Sequence, residues 1–325
     1  MSFTPRTTLA MAALVACSLQ VTSAFAQDNW PSKPIRLIVP FAAGGANDLM
    51  ARSAAEGASK ILGQPVVIDN RAGAGGTIGA DIVAKAQPDG YTLLVSAAGV
   101  ISNSMIKKTM PFRDDALMPL VMIGLAPSVI VVPKSAPYNN LRDFVDASKK
   151  GVGFNFATAG TGSTPHFVAE MLNVKYGAKL QPVPYKSGSE STTAVMGGQV
   201  EGTSEASIIA LPHIFNEGKF KALATTWTQR ISAYPQLTTA VEQGFSALQI
   251  AHWAGVHAPA ATPAAILDKF AAAVDKAMHE PATVEKLKGL GIEPMGGTRA
   301  EFVKFVDAER KRLGEIVKAA NMQEK

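Results

Sequence analysis

Ile35-Arg36-Leu37-Ile38-Val39-Pro40-Phe41-Ala42-Ala43-Gly44-Gly45-Ala46-Asn47-Asp48 is the stretch that decides the fold. Its first five residues are apolar apart from Arg36 and rich in β-branched side chains, the pattern of a buried strand. From Asp48 onward the chain favours a helix, with Asn47 or Asp48 expected as its N-cap. Gly44 and Gly45 therefore sit on a strand-to-helix turn, where a missing Cβ lets the backbone bend and a ligand approach. A helix start presents unpaired N–H groups and the positive end of the helix dipole, an environment suited to an anion. One reading makes Phe41–Asp48 half of a carboxylate site, and a tight βα turn without function is the alternative.

Outward from this stretch the same rhythm continues. Val66–Asp69 reads as a second strand before the glycine-rich turn Asn70–Thr77, and Tyr91–Val95 as a third after Pro88-Asp89-Gly90. Alternating strands and helices imply parallel strands with right-handed crossovers. Leu120–Leu125 and Val129–Val132 read as strands on either side of Pro127. Phe154–Thr158 then runs into Ala159-Gly160-Thr161-Gly162-Ser163-Thr164-Pro165-His166, where Ser163 or Thr164 can cap a helix and Pro165 suits its first turn. This second loop repeats the first: strand, glycines, small residues, helix start. Ile250–His257 reads as a longer strand, and two helices, about 263–279 and 299–320, follow without a strong strand between them. The pattern predicts an α/β protein of two lobes, residues 27–127 plus 248–325 and residues 128–247. Each lobe is expected to hold a mostly parallel sheet flanked by helices.

The 325-residue chain is long for one core, and its net charge of +5 comes from scattered residues without a basic run. Nucleic acid is therefore not an expected partner. Residues 1–26 differ from the rest: Arg6, an apolar run from Leu9 to Leu19, then Ala24-Phe25-Ala26 before Gln27. That is the form of a secretory signal with cleavage after Ala26, too short for a membrane anchor of about 20 apolar residues. A competing reading takes Leu14-Val15-Ala16-Cys17 as a lipoprotein box with Cys17 as the lipidated terminus. Cleavage after Ala26 removes the single cysteine, so neither disulfide nor thiol chemistry is expected in the mature chain.

Gly73-Ala74-Gly75-Gly76-Thr77-Ile78-Gly79 has the wrong spacing for a dinucleotide fingerprint, and no P-loop is present. No cofactor is expected. The histidines are scattered without an HExxH pair, so no metal is expected. Ser163 and His166 suggest an exported esterase-like hydrolase as the alternative function, although Gly160-Thr161-Gly162-Ser163 is not a nucleophile elbow. Tyr185 and Lys186 follow a strand, where they reach a cleft or solvent. Glu205, among small residues, would repel a carboxylate but accept bonds from an ammonium, a hydroxyl or a protonated acid.

Trp30-Pro31-Ser32-Lys33-Pro34 leading into the opening stretch, with Asn70-Arg71-Ala72-Gly73-Ala74-Gly75-Gly76, Pro88–Leu94, Val183-Pro184-Tyr185-Lys186, Gly197-Gly198-Gln199-Val200, Leu211-Pro212-His213-Ile214 and Gly296-Gly297-Thr298, resembles the Bug/TctC family. These are periplasmic solute-binding receptors of tripartite tricarboxylate transporters. The resemblance implies a type II-like, Venus-flytrap fold that captures a small organic carboxylate in the periplasm. It implies no enzyme activity, and partners that are membrane permease subunits or a sensor ectodomain; a monomer is expected. It places Phe41, Ala43, Gly44, Gly45, Asn47 and Asp48 on one side of the carboxylate and Gly160, Thr161, Gly162, Ser163 and His166 on the other, partly through ordered waters. Asn103, Tyr185, Lys186 and Glu205 line the remainder. Three departures touch the pocket: Ala43 where the family usually has proline, Glu201 where it has Asp, and Ser204-Glu205 where Phe-Asp is frequent.

Overall fold

The computed structural model describes residues 29–324. The expected signal, its cleavage site after Ala26 and the Cys17 alternative lie outside the described residues.

Three strand–helix units come first: β1 (Ile35–Val39) with α1 (Ala46–Leu62), β2 (Val66–Asn70) with α2 (Thr77–Ala84), and β3 (Thr92–Ser96) with α3 (Ala98–Ile106). β1 pairs parallel with both β2 and β3. The long strand β4 (Leu117–Pro133) follows, then α4 (Leu141–Ser148), β5 (Phe154–Thr158), α5 (Thr164–Tyr176), β6 (Leu180–Pro184), α6 (Gly188–Met196), β7 (Gly202–Ala206), α7 (Ser207–Phe215) and β8 (Phe220–Thr225). The remaining elements are β9 (Ala251–Pro259), α8 (Ala264–His279), α9 (Pro281–Gly289), β10 (Glu293–Gly296) and α10 (Arg299–Ala319).

β4 belongs to two sheets. Up to Pro127 it pairs antiparallel with β9, and with β10 on its other edge. From Ser128 it pairs antiparallel with β7 and β8 instead. In the first sheet β2, β1, β3 and β4 run one way and β9 and β10 the other; in the second β6, β5, β7 and β8 run together against β4. The residue pattern suggested two strands interrupted by Pro127, but the chain stays extended through it. Pro127 falls where the partner changes, so its missing N–H costs little there. Leu120 to Ile123 and Val129 to Val132 are nearly all completely buried, as expected of a strand covered on both faces.

The chain passes between the sheets at Ser128 and again along residues 226–250. The two passages are tied together: the Thr226 N–H donates to the Ser128 carbonyl at 2.8 Å and the Ile250 N–H to the Thr226 carbonyl at 2.9 Å. Behind the junction one apolar cluster crosses from sheet to sheet, with Leu125, Trp253, Phe302 and Leu313 on one side and Phe144, Phe156 and Phe167 on the other. α10, opened by a Thr298/Glu301 capping box, supplies Phe302 and Leu313 to it. Three elements were not legible in the pattern, which placed only a turn where α9 (Pro281–Gly289) forms. β10 is four residues long and owes its pairing to the edge of β4. α3 begins at an Ala-Ala-Gly run without any helix-start signal.

Candidate functional site

Four helix starts converge on one cavity of about 50 Å³ in the cleft between the sheets. At roughly 10–15 Å³ per water, that holds about three to five waters, or a carboxylate head with a short stem. α1 reaches it through Gly45–Asn47, α3 through Ala97–Gly99, α5 through Ser163–Pro165 and α6 through Ser187-Gly188.

In three of the four, the first-turn N–H groups donate to no capping side chain. The N-cap of α1 is Gly45, not Asn47 or Asp48 as the pattern suggested. The side-chain amide of Asn47 donates instead to the Trp253 carbonyl at 2.9 Å. Asp48 Oδ2 accepts the Gly44 N–H at 2.9 Å. α3 starts from Ala97, which has no polar side chain to offer. On α5, Ser163 is the N-cap residue, but its Oγ donates to the Gly160 carbonyl at 2.6 Å. Only α6 is capped, by Ser187 Oγ accepting from the Glu190 N–H. The cavity thus gathers the positive ends of several helices and unspent N–H donors.

Asp48 is 1% exposed and does not line the cavity. Burial pushes its carboxyl up, but bonds from Arg52, the Gly44 N–H and Asn70, with the Arg52 charge, outweigh this and hold it below the usual carboxylate range. It braces the first loop. His166 does the same for the second: its Nδ1 accepts the Gly162 N–H at 3.1 Å. Burial lowers the His166 pKa to about 4, so the ring is neutral near pH 7 and able to accept.

Phe41, Gly45, Asn47, Ser163 and Glu205 line the inner cavity. Ala43 and Gly44 are exposed and border neither this cavity nor the outer cleft described next. Phe41 also faces an outer cleft of about 700 Å³, where Gly160, Thr161, Tyr185 and Lys186 lie with the Gly73–Gly76 turn and Lys107. Asn103 is fully buried and reaches neither space; its Nδ2 donates to the Gly75 carbonyl at 2.8 Å and to Thr77 Oγ1 at 3.1 Å. The second loop docks across the cleft, with Ser102 Oγ donating to the Gly162 carbonyl at 3.1 Å. Gly75 abuts this loop so closely that a Cβ there would lie 2.7 Å from the Thr161 carbonyl.

Sequence reasoning missed Ala97–Gly99 and His252. The alanines carry no polar signal. His252, one of the scattered histidines, lines the cavity with Nε2 3.2 Å from Ser128 Oγ, which is 2.5 Å from Ser204 Oγ. Burial lowers its pKa to about 4. The hydrolase alternative finds no support: Ser163 Oγ and His166 Nδ1 are each committed to backbone partners and not to each other. Among the described residues no group of three His, Cys, Asp or Glu side chains is placed to hold a metal ion.

The family described as "Tripartite tricarboxylate transporter family receptor" (TctC) matches residues 50–322. A UPF0065 protein of Bordetella pertussis is 34% identical over 321 residues, covering 98% of this chain and 99% of its own. Among solved structures, an R. palustris protein with adipate is 30% identical with a TM-score of 0.86, covering 90% of this chain and 99% of its own. MatC from Rhodopseudomonas palustris, with bound malate, is 30% identical with a TM-score of 0.83, covering 89% of this chain and all of its own. The periplasmic binding protein BugD is 31% identical with a TM-score of 0.84, covering 91% of this chain and all of its own; the fold is therefore that of a two-lobed periplasmic binding protein, and the protein is a periplasmic receptor and not an enzyme. This chain belongs to the TctC family, the receptors of tripartite tricarboxylate transporters.

Proposed function

We propose that the receptor captures one small organic carboxylate in the inner cavity and closes its two lobes over it. The lobes in this reading are residues 27–127 plus 248–325 and residues 128–247, and residues 1–26 are a signal removed on export. The observation that carries the reading is the convergence of four helix starts, three without a side-chain cap, on one cavity. Adipate and malate in the two R. palustris structures point to the same ligand class.

The energetics agree. A hydrogen bond to a charged group contributes about 1.5–3 kcal/mol. A micromolar ligand needs about 8 kcal/mol in all. Three or four N–H donors plus apolar contact with Phe41 reach that figure after the cost of closure. Gly45, Asn47 and Ser163 grip the carboxylate, Asp48 and His166 hold their loops in place, and the outer cleft beside Tyr185 and Lys186 takes the rest of a longer ligand. Closure by hinge motion at Ser128 and residues 226–250 creates the surface that a permease or a sensor ectodomain reads.

The test is a thermal-shift screen of residues 27–325, unfolded and refolded to remove carried-over ligand, against mono-, di- and tricarboxylates, amino acids and aromatic acids. A ligand at about a hundredfold its Kd should raise the midpoint by about 5 °C. A folded sample that no acid stabilises overturns the reading.

A further inference from the structure

One side chain in the cavity has the wrong sign for an anion site. Glu205 lies at the end of β7, is 2% exposed, and lines the cavity with its Oε1 lacking any hydrogen-bond partner. No lysine or arginine lines the cavity among the described residues. β4 faces Glu205 across the ladder with Val129, and α6 covers it with Gly188. β9 contributes His252, neutral near pH 7. Glu190, in the first turn of α6, accepts from the Lys186 N–H in the outer cleft instead. Glu205 and His252 are thus the two titratable groups lining the cavity, and neither neutralises the other.

An ionised Glu205 would be an anion of the protein's own, held in the field of the helix starts and competing with any bound carboxylate. A protonated Glu205 has an O–H to donate, and its unpartnered position leaves that donor for the ligand. Resting on the carboxylate-receptor reading above, we propose that Glu205 works as a neutral carboxylic acid that donates a hydrogen bond to the bound anion, so that the site takes up its carboxylate together with one proton. The proton comes from solvent whenever Glu205 is ionised in the free protein; no covalent bond changes. The ligand class narrows accordingly: an anion whose buried end offers an acceptor, and not an ammonium, sits against Glu205. Burial favours the same form, pushing the Glu205 carboxyl up to about 8 against the smaller opposing pull of Thr203 and the Ala206 N–H.

The test is an infrared titration of the mature protein, with Glu205→Gln used to assign the Glu205 bands. Wild type should show a protonated-carboxyl stretch at pH 7 that is missing from E205Q and fades with a midpoint near pH 8. Acetate, malate or adipate, used as probes, should move that midpoint upward. Affinity for the probe that moves it should fall about 100-fold from pH 7 to pH 10, as release of one proton requires, and E205Q should lose this dependence. A Glu205 midpoint in the ordinary carboxylate range overturns the proposal. So does a midpoint unmoved by all three probes, or one that moves downward because Glu205 accepts from the ligand. The infrared arm reads Glu205 without any ligand, so its failure is separate from a failed thermal-shift screen, which strikes the receptor reading instead.

Discussion

The two cleft loops are built on one frame with different chemistry. In each, a glycine with positive φ precedes the helix: Gly44 at +79° and Gly162 at +76°. In each, that glycine's N–H is held by the side chain four residues later, inside the first helical turn. The first loop uses a buried carboxylate, Asp48; the second uses a neutral imidazole, His166. Both braces turn a side chain that could have capped the helix away from it, and so leave the first-turn N–H groups for a ligand. The braces differ in strength and in how they respond to acid, because a bond to an ionised acceptor is about twice as strong as a neutral one. The glycines differ in surroundings too. A Cβ on Gly44 meets nothing within 4 Å, whereas one on Gly162 would lie 2.6 Å from Ser102 Oγ across the cleft.

Three predictions press on this comparison. The largest effect is expected at the glycines. Gly162→Ala should cost about 1–2 kcal/mol of left-handed strain plus about 1–3 kcal/mol of overpacking against Ser102. Gly44→Ala should cost the strain alone, about 1–2 kcal/mol. Urea unfolding compares them, and equal losses would mean that the second loop does not bear on α3. Next come the braces. Asp48→Ala should lose about 1.5–3 kcal/mol and His166→Ala about 0.5–1.5 kcal/mol, both weakening ligand binding through a loosened loop. If His166→Ala proves the more damaging, the ranking of charged over neutral brace is wrong.

The smallest effect is one of pH. His166 has its folded pKa depressed from 6.5 to about 4, so its contribution is complete above about 6.5 and lost as pH falls toward 4. Asp48 is depressed below 3.8, so its contribution is complete above that value and lost only as pH falls further. Denaturation midpoints of wild type, His166→Ala and Asp48→Ala from pH 7 to 4 should therefore show wild type converging on His166→Ala while keeping its margin over Asp48→Ala. A margin over Asp48→Ala that closes first would reverse the assignment.

The inner cavity and the outer cleft also separate what sequence reading finds from what it misses. Loop residues with a local signature, such as Gly45, Ser163, Gly160 and Tyr185, were legible because glycine, hydroxyls and strand ends mark turns at short range. Which of the two spaces each one enters was not. Asp48 and His166 carried the polarity of ligands yet face their own loops, because each finds a glycine N–H one turn away. Ala97–Gly99 contributes a helix start with no polar side chain at all, and only its delivery by β3 brings it to the cavity. The four-residue β10 was invisible because an edge of β4 supplies its hydrogen bonds.

The alternation of strands and helices and the two glycine loops were determined by the sequence alone, since periodicity and tolerance of positive φ are local properties of a chain, and the family was read from motifs that the chain shares with it. The tertiary structure decided that four helix starts share one cavity, that Pro127 lies within a single strand serving two sheets, and that Glu205 is sealed beside the helix starts with its Oε1 unpartnered. Those facts depend on pairings between residues far apart in the chain, as Pro127 with Ala251 and Val129 with Glu205. They depend also on burial, which changes what a carboxyl group is at neutral pH and has no signature in the residues on either side of it.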